Sequence, residues 1–175
     1  TQNSEPACRL KILDLCTGSG CIALALAKHI PEADIYATDI SEKALGFAVR
    51  NSRIHNISNV EFIYGSLFEP VKGMKFDAIV CNPPYIKRAD IETLQTEIKD
   101  WEPLEALDGG EDGLDFYREV ISSVRWYLND GGLVILEAGA GESEDIVSLA
   151  VKSGLRSDSV IKDYAGIDRV ICLTI

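Results

Sequence analysis

The chain has 175 residues, 46% of them apolar and 26% charged, and 17 Lys and Arg stand against 28 Asp and Glu for a net charge of −11. A domain of this length buries roughly 70% of its extended-chain surface, enough for one well-formed core, and an ordinary apolar fraction excludes a disordered chain. The negative charge argues against a protein whose affinity rests on neutralising duplex phosphate, and the longest apolar run, Cys21 to Ala27, is far short of the ~20 residues of a membrane-spanning helix.

The chain opens on Thr-Gln-Asn-Ser-Glu-Pro, with no basic stretch leading into an apolar one, so no signal peptide is read there; the missing initiator Met reads as a trimmed chain. Lys11–Leu15 is a strand, followed by a glycine turn and a helix over 19–30 that Pro31 stops. Asp34–Asp39 is a second strand. Ser41 caps the next helix, whose Ala44, Leu45, Ala48 and Val49 share one face. Val60–Tyr64 and Phe76–Cys81 are further strands. A long stretch from Asn82 to about Asp112 has weak periodicity, three prolines and a Gly-Gly, and loops of that length in compact domains are usually functional or disordered. Phe116, Val120 and Val124, beside Tyr117, Ile121 and Leu128, mark an amphipathic helix ended by Gly131-Gly132. A buried strand over 133–136 and a helix over 145–152 follow. The runs 155–162 and 169–175 have no helix between them and pair as an antiparallel hairpin. The alternation predicts an α/β fold, a mostly parallel sheet with helices on both faces, closed by that hairpin.

The five cysteines (8, 16, 21, 81 and 172) form no C-x-x-C pair, which reads as small buried hydrophobes in a reducing cytoplasm and not as a zinc or disulfide framework. His29 and His55 are single and read as surface or helix-end residues, Trp101 and Trp126 as packing residues, with a place lining the loop beside the site as the alternative for Trp101. Glu102 and Asp108 are loop charges that contact either substrate or solvent.

Two segments carry chemistry. Asp14-Leu-Cys-Thr-Gly-Ser-Gly20 ends a strand on an acid and turns through glycines into a helix, where backbone N–H groups approach a ligand closely and the helix start favours a carboxylate. Asp39 ends the second strand, where a carboxylate accepts two ribose hydroxyls. A glycine turn that only packs strand on helix is the plain alternative; Asp39 favours a ligand containing a nucleoside. Gly18-Ser-Gly-Cys-Ile-Ala23 also fits the dinucleotide pattern, which keeps NAD as a rival, although Asp14 is unfavourable near a pyrophosphate. The second segment, Asn82-Pro-Pro-Tyr85, follows the fourth strand. The Asn82 side-chain oxygen and the Pro83 carbonyl can take both hydrogens of one planar NH2 group, with Tyr85 against its face; an ordinary turn is the alternative.

The acidic-then-glycine loop, Asp39 and Asn-Pro-Pro-Tyr together resemble the class I S-adenosylmethionine-dependent amino methyltransferases. More narrowly, the 14–27 segment, the 102–118 segment Glu-Pro-Leu-Glu-Ala-Leu-Asp-Gly-Gly-Glu-Asp-Gly-Leu-Asp-Phe-Tyr-Arg and the 163–170 segment Asp-Tyr-Ala-Gly-Ile-Asp-Arg-Val are similar to the HemK family, the peptide-chain release factor glutamine N5-methyltransferases. The resemblance covers essentially the whole chain and implies a seven-stranded Rossmann-like fold, with residues 1–175 forming one methyltransferase domain and the family's N-terminal helical domain absent. It implies that S-adenosylmethionine is held by Asp14, Cys16, Thr17, Gly18, Ser19 and Gly20 of the loop, by Asp39 and Ile40, by Ser66 and Leu67 around adenine, and by Asn82. Asn82, Pro83, Pro84 and Tyr85 receive the glutamine side chain, and Asn82, Pro83 and Tyr85 are the catalytic set. Cys16 stands where many members have glycine, Ser66-Leu67 replaces the commoner acidic-aromatic pair, and Glu142 follows Gly141 without a role.

The resulting expectation is methyl transfer to the side-chain amide nitrogen of a protein glutamine, in the Gly-Gly-Gln loop of a class I release factor, by a cytoplasmic monomer without a metal. S-adenosylhomocysteine is the second product. A ribosomal-protein glutamine methyltransferase, an adenine-N6 or guanine-N2 nucleic-acid methyltransferase, and a nucleotide-binding module without catalysis are the alternatives. No stable nucleic-acid or membrane partner is expected.

Overall fold

A computed structural model describes residues 9–175; Cys8 and the opening segment lie outside the described residues. Strand β1 (Lys11–Leu15) enters the sheet, helix α1 (Cys21–His29) follows, then β2 (Asp34–Asp39), α2 (Glu42–Ile54), β3 (Val60–Tyr64) and β4 (Phe76–Cys81). The stretch after β4 holds two 3₁₀ turns and a single short helix, α3 (Thr96–Lys99). Then come α4 (Asp115–Ser123), β5 (Leu128–Glu137), α5 (Ser143–Lys152), β6 (Arg156–Lys162) and β7 (Asp168–Thr174). The seven strands lie in the order β3-β2-β1-β4-β5-β7-β6; the first five are parallel, and β7 runs antiparallel to both neighbours.

The alternation of β1 shows how the layers form. Leu13 and Leu15 point to one face and join Phe76, Ile79, Leu136, Ile171 and Leu173 of the sheet with Tyr117, Val120 and Ile146 of α4 and α5. Ile12 points to the other face, with Ile35 and Ala37 of β2 and Ala23 and Ala27 of α1. Period-two strands and period-3.6 helices thus meet in two apolar layers, each fully buried Leu or Ile contributing about 1.5–3 kcal/mol by transfer from water. Among the described residues no helix is long and apolar enough to cross a membrane.

The predicted strands and the closing hairpin stand, while two helices are shorter than expected. Helix α1 starts at Cys21, because Gly20 at φ 84° has left-handed backbone that a right-handed helix cannot include. Helix α4 stops at Ser123, tightens into a 3₁₀ turn over Val124–Trp126, and releases Leu128 into β5. Tertiary packing decides this: Leu128 is 1% exposed, Phe76 N donates to Tyr127 O at 2.8 Å, and the Tyr127 ring stacks on Phe68 at 4.4 Å between centroids. Gly131-Gly132 therefore lies inside the strand segment. Trp101 and Trp126, expected to pack, are 84% and 76% exposed: the 3₁₀ turn that contains Trp126 buries Val124 instead, and the short helix before Trp101 buries none of its own residues.

Candidate active site

Parallel pairing places the carboxyl ends of β1, β2 and β4 side by side: Leu15 registers with Thr38 on one flank and with Cys81 on the other. The next residues of the three chains are Cys16, Asp39 and Asn82. Sequential strands diverge to opposite sides of β1 here, the position at which open α/β sheets bind ligands. Adjacent strands are about 4.8 Å apart, so the backbones of Asp39 and Asn82 stand roughly 10 Å from each other across the end of β1.

The loop leaving β1 turns at Cys16, whose φ of 57° is left-handed, and is tied to β2 by Thr17 N donating to Thr38 O at 3.0 Å. Asp14 is fully buried beneath it, on the α1 face of β1. Its Oδ2 accepts from Thr17 Oγ1 at 2.6 Å and from Ala23 N in α1 at 3.0 Å, but its Oδ1 has no partner among the described residues. Burial raises this carboxyl to about 7 against the pull of those two hydrogen bonds, and the charge of Asp39 adds to the rise. Gly20 is required by space as well as by φ: a Cβ there would meet Ala48 Cβ of α2 at 3.0 Å and the Phe62 ring at 3.3 Å. Ser19 is exposed at the loop tip, its carbonyl held by Asn51 Nδ2 at 3.0 Å.

Asp39 organises the second half of this corner. Its Oδ2 accepts from Gly18 N at 2.7 Å and its Oδ1 from Ser41 N at 2.8 Å, so one carboxylate spans the glycine loop and the start of α2. Ser41 Oγ in turn accepts from Ala44 N, the cap expected from sequence. Each carboxylate oxygen retains a free lone pair. Ile40 beside it is 62% exposed. The segment after β3 returns to the same corner: Gly65 N donates to Asp39 O at 3.0 Å, and Thr38 Oγ1 donates to Leu67 O at 3.0 Å. Leu67 is buried with φ 43°, and Ser66 is half-buried.

On the other flank, Cys81 is buried and its thiol is pushed up by the neighbouring Cys16 thiol and by burial. Asn82 and Tyr85 are half-buried, and Pro83 and Pro84 buried between them. Tyr85 OH donates to Glu137 Oε1 at 3.3 Å, and burial, then the Glu137 charge, raises its hydroxyl. Tyr117 OH donates to the Glu137 carbonyl at 2.7 Å, which fixes the end of β5. Immediately beyond Tyr85 the chain closes on itself as a strap: Ile86 N donates to Leu107 O at 2.9 Å, Gly109 N to Ile86 O at 2.8 Å, and Arg88 N to Gly110 O at 2.8 Å. Arg88 also pairs with Asp108 at 2.9 Å, which accounts for one of the two loop acids by an internal partner.

The candidate site residues thus lie at this sheet edge, in two groups: the loop, Asp39, Ile40, Ser66 and Leu67 on one side of β1, Asn82 to Tyr85 on the other. Sequence reasoning gave no site role to Glu137, Tyr117 or Glu142. Glu137 was findable, because it ends β5 as Asp39 ends β2. Glu142, buried beside Tyr85, stood out only as a departure after Gly141 and was given no role.

The profile of the methyltransferase small domain family matches residues 2–99, from ahead of the glycine loop to beyond Asn82-Pro-Pro-Tyr85. The chain belongs to the methyltransferase small domain family. Within that family's wider set of curated relatives, it is 52% identical over 163 residues to the release factor glutamine methyltransferase of Thermodesulfovibrio yellowstonii, covering 93% of this chain and 58% of that protein. It is 45% identical to the release factor glutamine methyltransferase of Geobacter sulfurreducens, covering 91% of this chain and 56% of that protein. The chain therefore spans a little over half the length of these relatives. Among solved structures, a methyltransferase from Pyrococcus furiosus superposes with a TM-score of 0.71 at 23% identity, over 95% of this chain and 77% of that one. The ribosomal protein L11 methylase of Lactobacillus delbrueckii subsp. bulgaricus gives 0.67 at 22% identity, over 95% and 69%. Both share the fold of this methyltransferase domain.

Proposed function

We propose that this chain transfers a methyl group from S-adenosylmethionine to the side-chain amide nitrogen, N5, of a glutamine in a class I peptide-chain release factor, leaving S-adenosylhomocysteine. The observation that carries the reading is the placement of two half-sites on either side of β1, a glycine loop bound to Asp39 and the Asn82-Pro-Pro-Tyr85 turn. The names of the two curated relatives support the choice of acceptor.

The residues present suit the donor. Asp14 keeps a buried, unpartnered Oδ1 under the loop, a place that favours a cationic group nearby, and Asp39 has lone pairs left for two ribose hydroxyls. Asp14, Cys16, Thr17, Gly18, Ser19 and Gly20 would line the amino-acid end of the donor, Asp39 and Ile40 its ribose, and Ser66 and Leu67 its adenine. When bound, S-adenosylmethionine supplies an electrophilic methyl group on a sulfonium.

The rest of the work is alignment. Asn82 Oδ1 and the Pro83 carbonyl accept the two hydrogens of the glutamine amide, and the fixed φ of Pro83 and Pro84 keeps those acceptors at one angle. Tyr85, tied to Glu137, lies against the amide plane. Holding the nitrogen this way turns its lone pair out of conjugation and toward the methyl, and orientation of this kind supplies ~7–11 kcal/mol of a barrier. No strong base is needed, since N5 becomes acidic as it gains the methyl and its proton passes to water. His29 and His55, exposed at the ends of α1 and α2, take no part. The acceptor is bound in the cytoplasm by a monomer, and a net charge of −11 disfavours RNA or DNA in its place.

The test is to incubate the protein with labelled methyl donor and, separately, release factor, ribosomal proteins, RNA and DNA. The reading expects label on one release-factor glutamine. Label in nucleic acid or a ribosomal protein, or in nothing, would overturn it.

A further inference from the structure

Glu142 is only 8% exposed, and its Oε2 has no hydrogen-bond partner among the described residues. It stands at the start of α5 without capping that helix through its side chain. Its carboxyl group instead occupies a slot between two glycines that are distant in sequence. A Cβ on Gly139 would lie 2.5 Å from Oε2 and 3.0 Å from Cδ2 of the Tyr85 ring. A Cβ on Gly113 would lie 2.6 Å from Oε1 and 2.6 Å from the Tyr85 carbonyl oxygen. Each glycine thus leaves a space bordered by the Glu142 carboxyl on one side and by Tyr85, ring or main chain, on the other. From the strap, Gly109 presses on the same residue, since a Cβ there would be 2.7 Å from Tyr85 Cα.

We propose that Glu142 is a positioning residue for the methyl acceptor, holding Tyr85 at the angle from which its ring meets the substrate amide. The proposal rests on the reading of Asn82 to Tyr85 as the acceptor site. Glu142 touches neither donor nor acceptor; it acts through Tyr85.

The protonation state of Glu142 decides how well it does so. A buried carboxylate with an unpartnered oxygen is costly, whereas the neutral acid fits the slot without a counter-ion. Burial raises this carboxyl above its ordinary value, the Gly139 amide and Lys87 of the strap work against the rise, and Asp112 and Asp145 add to it. Tyr117 of α4 and Tyr85 also face the group, with Glu137 and Arg169 beside Tyr85. A raised folded value means that the seated, neutral form holds at low pH and is lost as pH rises through that value. Ionised Glu142 draws water or Lys87 toward the slot and loosens Tyr85.

The experiment compares wild type, Glu142→Ala and Glu142→Gln, with release factor as acceptor and S-adenosylmethionine as donor. Glu142→Ala is expected to lower kcat/KM for release factor by about tenfold or more, while the Kd of S-adenosylhomocysteine by calorimetry stays within about twofold. Glu142→Gln, neutral at every pH, restores kcat/KM, and the ratio of its rate to that of wild type climbs as pH rises through the raised value of the wild-type carboxyl. Taking the ratio cancels any pH dependence of the transfer step itself. Melting temperatures give a readout independent of activity: Gly139→Ala, which must displace the carboxyl, costs less stability in a Glu142→Ala background than in wild type. A flat ratio across pH, an undiminished Glu142→Ala variant, or additive melting shifts would overturn the assignment. A wild type that transfers nothing to release factor overturns the functional reading, and the assignment with it; a wild type that transfers, with variants indistinguishable from it, counts against Glu142 alone.

Discussion

Asp14 and Asp39 stand on neighbouring strands and carry the same functional group, yet their surroundings differ sharply. Asp39 has a backbone donor on each oxygen and lies half-buried, whereas Asp14 is sealed in with one oxygen unpaired. Removing the Asp39 carboxylate takes away a charged acceptor, so Asp39→Ala should weaken S-adenosylhomocysteine binding by about 1–3 kcal/mol in calorimetry. Asp14 makes a prediction about stability. Below about pH 4 it is protonated in both folded and unfolded chains; as pH rises toward about 7 the unfolded chain ionises first, so the ligand-free protein loses stability across that interval. Denaturant titrations at pH 4 and pH 7 should show this fall, on the order of 1–4 kcal/mol, and Asp14→Asn should flatten it. An Asp14→Asn protein with an unaltered pH dependence would contradict the burial argument. On the proposed reading Asn82 serves the chemistry more than the fold, so Asn82→Ala should leave the melting temperature nearly unchanged and slow methyl transfer about a hundredfold, near 2.7 kcal/mol. Near-normal turnover would show that the amide is oriented by something else.

The turn from β1 to α1 is the element on which the site most depends. Gly20 combines a left-handed φ of 84° with a close approach to Ala48 and Phe62, so Gly20→Ala strains the backbone and pushes on α2 at once. A loss of about 2–3 kcal/mol is expected in chemical denaturation, together with weaker cofactor binding. Gly18, whose added Cβ meets nothing within 4 Å, should lose less when replaced by Ala. At this scale the sequence was readable wherever the signal was local. The period-two runs gave β1 to β4, Ser41 gave the start of α2, and the glycines gave the loop, since each is dictated by a residue's own backbone preferences. The end of α4 was not readable, because Leu128 fits the helical period as well as it fits a strand. Its choice is made by Phe76, paired to Tyr127, and by Phe68, stacked on Tyr127, and the sequence brings neither phenylalanine near it. Trp101 and Trp126 were misjudged for a related reason: size and hydrophobicity do not tell whether a turn faces inward. Glu142 shows the same limit at the site, since its burial depends on Gly113, Gly139 and Tyr85 meeting in three dimensions.

Across the whole molecule, the order β3-β2-β1-β4-β5-β7-β6 collects onto one edge residues that the chain delivers at widely separated points. That edge was legible because a parallel α/β sheet presents its carboxyl ends on one side, so residues read as strand-ending in sequence must assemble there. The net charge of −11 acts at the same scale and predicts that RNA and DNA will not be retained in filter binding, even at low salt. The central claim is that the glycine loop with Asp39 and the Asn82-Pro-Pro-Tyr85 turn are two halves of one methyl-transfer site across the end of β1. A crystal structure of the protein with S-adenosylhomocysteine tests it most directly. The ribose hydroxyls are expected on Asp39, the adenine beside Ser66 and Leu67, and the thioether sulfur turned toward Asn82. A ligand bound away from this edge, or lying on the loop with its sulfur turned from Asn82, would contradict it.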